Sequence, residues 1–197
     1  MGNRQAYDEI AEVYAERKVA SSRAAWSDSL MDWLVQATPR GGWVLDAGCG
    51  HGAELQRLRD MGLRPVGLDL SLGMLRFAAR TRARALLQAD ICRLPFPNAA
   101  LDAAWSLHAL LHVEDLQGAL RELGRVLKPG APVALTVALG DGTTEEPVPY
   151  APAVRRLFVH WQPEQVLAAA ASAGLVMDES GQDDQGRTTM WLRARRV

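Results

Sequence analysis

The sequence predicts an α/β domain whose mostly parallel sheet is covered by helices on both faces. Segments with strand and helix patterns alternate from residue 43 to residue 138, which is typical of βαβ units with right-handed crossovers. The predicted strands are short and apolar, as expected for strands that are buried on both faces. The 197 residues, 48% of them hydrophobic, suffice for one such domain with a substantial core and leave no room for a second domain of ordinary size.

Two amphipathic helices precede the first strand. Apolar residues recur at helical spacing over residues 5–17 and 24–36, and a breaker cluster at residues 38–42 ends the second helix. The apolar positions are Ala6, Ile10, Val13 and Tyr14 in the first helix and Trp26, Leu30, Trp33 and Leu34 in the second. We therefore treat residues 1–38 as an N-terminal helical cap of a single domain that spans residues 1–197.

The alternating region begins with a strand over residues 43–46, which runs into a glycine-rich turn. Helices are predicted at residues 55–61, 72–80 and 114–127, and strands at residues 65–70, 85–88, 101–107 and 132–138. The third of these helices ends at Lys128-Pro129-Gly130, because proline cannot continue a helix and glycine permits the following turn. In a sheet of this kind the ligand binds at the carboxyl ends of the strands, so we expect the site there.

The pattern changes after residue 138. Residues 140–150 are polar and interrupted by proline, which predicts a surface loop within a substrate-side segment over residues 139–161. A helix is predicted over residues 163–173, where Gly174 stops it, and a strand follows at residues 175–178. Residues 188–194 alternate between apolar and polar side chains and form the last predicted strand.

Charge and composition narrow the classes of partner. Lys plus Arg number 22 and Asp plus Glu number 23, so the net charge of -1 makes nucleic acid an unlikely main partner. No apolar run approaches the roughly 20 residues that span a bilayer, and the first residues lack the apolar stretch of a signal peptide. We expect a soluble, cytoplasmic protein that binds no membrane and is either a monomer or a homodimer.

Metal and disulfide sites are not expected. Cys49 and Cys92 are the only cysteines and form no CxxC pair, which argues against a disulfide scaffold and a structural zinc site. His108 and His112 are one helical turn apart, but no third ligand accompanies them, so the sequence predicts no metal.

A carboxylate and three glycines lie at the end of the first predicted strand, at Asp46, Gly48, Gly50 and Gly52. Glycines at this point permit backbone torsions that other residues avoid, and they let a ligand lie against helix N-terminal N–H groups. Residues 48–53 also fit the dinucleotide pattern with alanine in its last place. The turn alone therefore leaves a nicotinamide and an adenosyl ligand open.

Two further acids follow the next strands. Asp69 ends the second strand, where a carboxylate can accept both vicinal hydroxyls of a ribose, and Asp90 follows the third strand, where an adenine amino group could donate to it. The alternative is that each aspartate only caps the following helix or turn. Two acids at the ends of successive strands after the glycine turn favour a ligand site over two independent caps.

Several segments together resemble the class I S-adenosylmethionine-dependent methyltransferases. The resemblance runs in order through residues 45–52, 67–75, 89–91, 94–96, 101–106, 111–113 and 122–130, with Ala131 standing where the family usually has a second glycine. It implies a Rossmann-like, seven-stranded sheet whose last strand is antiparallel, which agrees with the strand predicted at residues 188–194.

The resemblance also implies which residues bind S-adenosylmethionine. Asp46 and the backbone of Gly48 and Gly50 would surround the methionine part, and Asp69 would hold the ribose. The other implied contacts are Leu70 and Met74 on the adenine face, Asp90 and the backbone of Ile91 on the adenine edge, and Ser106 beside the methionyl group and the methyl.

Methyl transfer from a sulfonium is an in-line displacement, so the protein must chiefly align the acceptor with the methyl and exclude water. A general base is required only if the acceptor must first lose a proton. Tyr14 and His112 are the candidate catalytic residues. The candidate acceptor contacts are Tyr7, His108, Tyr150, His160 and Trp161. Packing roles stay open for both helix tyrosines, for His112, and for His160 and Trp161, which could anchor the last helix.

The predicted function is methyl transfer from S-adenosylmethionine to a small-molecule acceptor. An RNA or protein methyltransferase is an alternative that the balanced charge and the absence of an appended binding domain disfavour. A nicotinamide-dependent oxidoreductase would need a Tyr and Lys pair at helical spacing, which neither Lys18 nor Lys128 supplies. A non-catalytic cofactor-binding protein of the same fold also remains open, because the family has no invariant catalytic residue whose loss would reveal it.

Overall fold

The computed structural model describes residues 2–19, 24–80, 85–184 and 187–197. Within these residues the chain forms six α-helices, nine β-strands and a short 3-10 turn at Leu110–His112. The helices are α1 (Asn3–Val19), α2 (Ala25–Ala37), α3 (Ala53–Asp60), α4 (Leu72–Arg80), α5 (Leu116–Val126) and α6 (Pro163–Ser172). The strands are β1 (Trp43–Ala47), β2 (Arg64–Asp69), β3 (Leu86–Gln88), β4 (Ala103–Ser106), β5 (Pro132–Leu139), β6 (Thr143–Val148), β7 (Ala151–Trp161), β8 (Leu175–Asp183) and β9 (Thr189–Arg196).

Seven of the strands form the predicted sheet. β3, β2, β1, β4 and β5 are parallel neighbours in that order, β9 pairs antiparallel with β5, and β8 pairs antiparallel with β9. The prediction of a mostly parallel, seven-stranded sheet with an antiparallel last strand is therefore confirmed. β4 is shorter than predicted and β8 is longer, since β8 continues along β9 beyond a register shift between Met177 and Glu179.

The prediction of a surface loop over residues 140–150 is wrong, because this segment begins a β-hairpin. β6 and β7 pair antiparallel, and the carboxyl end of β5 pairs with β7 through Ala138 and His160. The prolines that suggested a loop are tolerated because β6 is an edge strand, and its register with β7 shifts between Pro147 and Val148.

Alternating strand residues divide the core between the two faces of the sheet. Val44 and Ala103 face α2 on one side, whereas Leu45 and Ala104 belong to the cluster with α5 and α6 on the other. Asp115 is the N-cap of α5, and its side chain accepts a hydrogen bond from the backbone of Gly118.

The two leading helices occupy different places. α2 packs on a sheet face through Leu30, Met31 and Leu34, which are fully buried. α1 packs against α4 and β7 and so lies over the carboxyl ends of the strands. The predicted cap of residues 1–38 contains both helices, but only α1 covers the expected site. None of the described helices is both long and apolar enough to span a membrane.

Candidate functional site

A cleft lies beneath α1 at the carboxyl ends of the parallel strands. It encloses about 800 Å³, counting its opening to solvent. Four loops and one side of α1 contribute to its wall. The lining residues are Asn3, Arg4, Tyr7, Tyr14, Gly48, Gly50, Leu68, Asp69, Leu70, Ser71, Met74, Ala89, Asp90, Ile91, His108, Ala109, His112 and Val113.

The glycine turn after β1 requires glycine for two separate reasons. Gly48 and Gly50 have φ of +87° and +50°, in the left-handed region that other residues avoid. A Cβ on Gly48 would also lie 2.2 Å from the Cβ of Ala109, whereas a Cβ on Gly50 would meet open space. The carbonyl of Leu68 at the end of β2 accepts hydrogen bonds from the backbone of Gly48 and Cys49, which fixes the turn against the next strand.

Asp69 is held in place by two backbone hydrogen bonds. Its Oδ2 accepts from the N–H of Gly50 and its Oδ1 from the N–H of Ser71, both at 2.8 Å. Burial raises the pKa of Asp69, and the backbone hydrogen bonds oppose this rise. Each oxygen keeps a further lone pair with which the oriented carboxylate can accept a ligand hydroxyl.

Asp90 combines the two roles that the sequence left open. Its Oδ1 accepts a hydrogen bond from the backbone of Cys92 at 2.9 Å, which closes a local turn. The same residue is exposed and lines the cleft. The turn therefore holds the carboxylate at the cleft wall.

Leu70, Met74 and Ile91 form an apolar wall between these acids. Met74 is 1% exposed and Ile91 8%, but Leu70 is 45% exposed although it lines the cleft. An apolar side chain left open at a cleft is suited to packing against a flat ring.

Asp46 and Ser106 lie beneath the cleft, outside its lining. Asp46 is 3% exposed, and its Oδ2 has no hydrogen-bond partner within the described residues. Burial, followed by the nearby charges of Glu54 and Asp69, raises the pKa of Asp46 well above its usual value. The hydroxyl of Ser106 already donates to the carbonyl of Ala47 at 2.8 Å. A buried carboxyl group with one unpartnered oxygen next to the glycine turn is suited to a ligand that brings positive charge.

Tyr7 and His112 form a hydrogen-bonded pair across the cleft. The Tyr7 hydroxyl lies 2.8 Å from His112 Nε2, and His112 Nδ1 lies 2.7 Å from the carbonyl oxygen of Leu157. A carbonyl can only accept, so Nδ1 carries the proton and Nε2 accepts from the Tyr7 hydroxyl. Asn3 bonds both backbone groups of Leu157, which ties the start of α1 to β7.

The titration properties of this pair follow from its burial. Burial is the main cause that lowers the pKa of His112 to about 4, so the imidazole is neutral at neutral pH. Burial also raises the pKa of Tyr7. Both ring nitrogens of His112 are engaged, which removes the two-histidine metal site considered with His108. Among the described residues no cluster of three or more His, Cys, Asp or Glu is placed to hold a metal ion.

Tyr14 and His108 complete the predicted residues that reach the cleft. The Tyr14 ring meets the Tyr7 ring edge to face, with centroids 5.6 Å apart, and burial raises the pKa of Tyr14. His108 has a φ of +56°, is exposed, and is fixed by its backbone N–H, which donates to Thr136 Oγ1.

Three predicted acceptor contacts lie outside the cleft lining. Tyr150 packs beside α1 with the guanidinium of Arg17 over its ring, and His160 Nε2 lies 2.8 Å from Arg187 Nη1. Trp161 packs against the main core beside α6. The structure therefore brings Tyr7, Tyr14, His108 and His112 together at the cleft and leaves these three apart from it.

Sequence reasoning missed Asn3, Arg4 and Arg156. Asn3 and Arg4 line the cleft, and Arg156 Nη1 lies 3.4 Å from the Tyr7 hydroxyl. A signal for Arg156 was available, because Val154, Arg156 and Phe158 are every second residue of β7 and therefore lie on one face of the strand. The loop predicted for this region concealed it.

Comparison with known proteins finds similarity to methyltransferases. Residues 45–135 match the model of a methyltransferase domain. The chain is 42% identical over 121 residues to a malonyl-acyl-carrier protein O-methyltransferase from Pseudescherichia vulneris, covering 61% of this chain and 47% of that protein. The chain spans about half the length of the curated relatives it matches.

Solved structures resemble the chain over most of its length. A methyltransferase from Methanosarcina mazei superposes with a TM-score of 0.75 at 16% identity, over 82% of this chain and 95% of that one. The cyclase SpnF superposes with a TM-score of 0.74 at 23% identity, over 98% of this chain and 95% of that one. At these identities the likeness shows the fold alone.

Proposed function

We propose that this chain is a class I S-adenosylmethionine-dependent methyltransferase, which transfers a methyl group from S-adenosylmethionine to a small-molecule acceptor by in-line displacement. The observation that carries the proposal is the cleft beneath α1, where the glycine turn, Asp69 and Asp90 face one space. These groups come from the ends of three successive strands.

The residues present fit an adenosyl sulfonium. Asp69, oriented by two backbone N–H groups, would accept the ribose hydroxyls, and Asp90 with Ile91 would meet the adenine edge. Leu70 and Met74 supply the apolar wall for the adenine ring. Asp46 is buried without a hydrogen-bond partner for its Oδ2, so a cationic ligand portion nearby would stabilise its charge.

S-adenosylmethionine supplies an activated methyl group when it is bound. The chain's own task is then to orient the acceptor and exclude water. α1 supports this task as a roof, because Asp8 Oδ1 on α1 accepts from Ser71 Oγ at 2.7 Å and from the backbone of Gly73 at 2.8 Å at the start of α4. Tyr7 and Tyr14 project from this roof into the cleft.

A small-molecule acceptor agrees with both the charge and the shape of the chain. The net charge of -1 offers no general attraction for RNA, and α1 narrows access to the cleft. The names of the curated relatives give malonyl-acyl-carrier protein as their acceptor. This acceptor counts as a small molecule at the cleft if only its malonyl end enters. We carry that acceptor over as a candidate.

One observation favours a second candidate function. The cyclase SpnF shares the fold over nearly the whole chain, so the fold is compatible with chemistry other than methyl transfer. In that case the chain would bind the cofactor without consuming it. Production of S-adenosylhomocysteine over a panel of acceptors separates the two candidates, because cofactor binding without turnover supports the second.

The first test of the proposal is a calorimetric comparison of three ligands on the purified protein. We expect S-adenosylmethionine and S-adenosylhomocysteine to bind and NAD not to bind, since the cleft residues fit the adenosyl and methionine parts together. Binding of NAD alone, or of none of the three ligands, would overturn the proposal.

A further inference from the structure

Arg156 lies outside the cleft lining but contacts Tyr7, which belongs to that lining. It lies in β7 beneath α1, with its guanidinium carbon 5.8 Å from the centre of the Tyr7 ring and 5.3 Å from that of Phe158. Its Nη1 donates a long hydrogen bond of 3.4 Å to the Tyr7 hydroxyl, and its Nε is buried without a hydrogen-bond partner in the described chain. Part of its donor capacity is therefore unused.

The positive charge of Arg156 also lacks a close counterion. Glu146 lies opposite Arg156 in the hairpin, but its Oε1 accepts from Arg187 Nη2 at 2.6 Å. Within the described ranges, no carboxylate oxygen lies within 4 Å of the Arg156 guanidinium. The carboxylate of Glu146 thus pairs with Arg187, although Arg156 lies opposite it in the hairpin. A partly buried cation in this state is unfavourable until an anion joins it.

Three of the titratable side chains near Arg156, namely Tyr7, Tyr14 and His112, do not favour removal of a proton from the acceptor. Burial keeps Tyr7 and Tyr14 protonated, because it raises the pKa of both phenols. The lone pair of His112 Nε2 is already occupied by the Tyr7 hydroxyl, and the pKa of this imidazole is about 4. An acceptor that arrives as an anion needs no base among these groups.

We propose that Arg156, beside the Tyr7 hydroxyl, forms an anion-binding site that selects acceptors with a carboxylate, and that this carboxylate is the group methylated. This inference rests on the proposed function. A carboxylate oxygen would form the new bond to the methyl carbon while the carbon–sulfur bond breaks and its electron pair stays on sulfur. No proton moves. The product ester is uncharged, so Arg156 would hold it less tightly than the acid.

The test compares an acid with its ester on the protein saturated with S-adenosylhomocysteine. Monomethyl malonate carries one carboxylate, and dimethyl malonate is the same molecule with that group esterified. We expect calorimetry to show that the wild type binds the acid at least about tenfold more tightly than the ester, because charge-assisted bonds to guanidinium are the stronger class. Equal binding of the two, or binding of neither, would overturn the inference.

Variants of the two neighbouring arginines make the test specific. Arg156→Gln should abolish the preference for the acid, and Arg156→Lys, which keeps the charge, should retain part of it. Arg155→Gln is the matched control, because Arg155 is exposed, points to the opposite side of β7 and pairs with Glu145. A preference that survives in Arg156→Gln, or that is equally lost in Arg155→Gln, would contradict the assignment.

Binding of S-adenosylhomocysteine keeps this inference separate from the proposed function. We expect all three variants to bind it as the wild type does, with unchanged thermal unfolding. If the wild type itself fails to bind it, the proposed function fails. If the wild type binds it and only the acid preference is missing, the anion site alone is refuted.

Discussion

Replacement of Asp69 by asparagine tests the cofactor site with a change of one atom. Each oxygen of Asp69 accepts one backbone N–H at 2.8 Å, from Gly50 and from Ser71, and would use its second lone pair for a ribose hydroxyl. An amide nitrogen at one of these positions only donates and carries no charge. At least one charge-assisted hydrogen bond is therefore lost, which is worth about 1.5 to 3 kcal/mol. This corresponds to about a 10- to 150-fold weaker affinity for S-adenosylmethionine.

Asp102→Asn is the matched control for this experiment. Asp102 also accepts a backbone hydrogen bond, from Trp43, and it pairs with Lys128 Nζ at 2.7 Å. It directly precedes β4 and lies beside the first residue of β1, at the end of the sheet away from the cleft. Calorimetric titration of both variants, with thermal unfolding as a check of folding, should show a loss of affinity for Asp69→Asn alone. Unchanged affinity in Asp69→Asn, or a similar loss in the control, would refute the reasoning.

Three further changes probe the turn and the α1 roof. Gly48→Ala should lower the free energy of unfolding by about 1–3 kcal/mol, because alanine would take a φ of +87° and overlap Ala109; an unchanged urea midpoint would contradict this. Tyr14→Phe should reduce turnover more than cofactor affinity if its phenol orients the acceptor, whereas equal kinetics would leave it a packing role. The pKa of His112 is about 4 in the folded chain and 6.5 in the unfolded chain. The unfolded state therefore binds the extra proton, and the stability of the fold decreases as the pH falls from 6.5 to 4. In urea titrations between pH 6.5 and 4, the His112→Gln variant should lose about 3 kcal/mol less of its free energy of unfolding than the wild type. If variant and wild type show the same pH dependence, His112 is protonated in the folded protein.

The elements that carry local signals were predictable. Glycines in the β1 turn satisfy torsions that depend on a few neighbouring atoms, and Asp69 and Asp90 follow their strands directly in the chain. The seven-stranded sheet followed from periodicity and from the family resemblance. The hairpin of β6 and β7 was missed because its prolines lie on an edge strand and at a register shift, and the sequence alone does not distinguish such positions from a loop.

Placement of the acceptor-side residues required the folded chain. Tyr150, His160 and Trp161 have the right residue types for an acceptor pocket, but the hairpin carries them to other surroundings. Ser106 also has a suitable hydroxyl, which donates instead to the carbonyl of Ala47. Residue type and spacing along the chain do not report which direction a side chain takes.

The sequence by itself determined the α/β class, the glycine turn and the two acids after the following strands, because backbone torsion preferences and strand periodicity act within short segments. Only the tertiary structure decided that Tyr7 meets His112, 105 residues away, and that Arg156 meets Tyr7 across 149 residues. These contacts depend on how α1 packs on β7. That packing is set by burial and hydrogen bonds between remote elements, which no local pattern records.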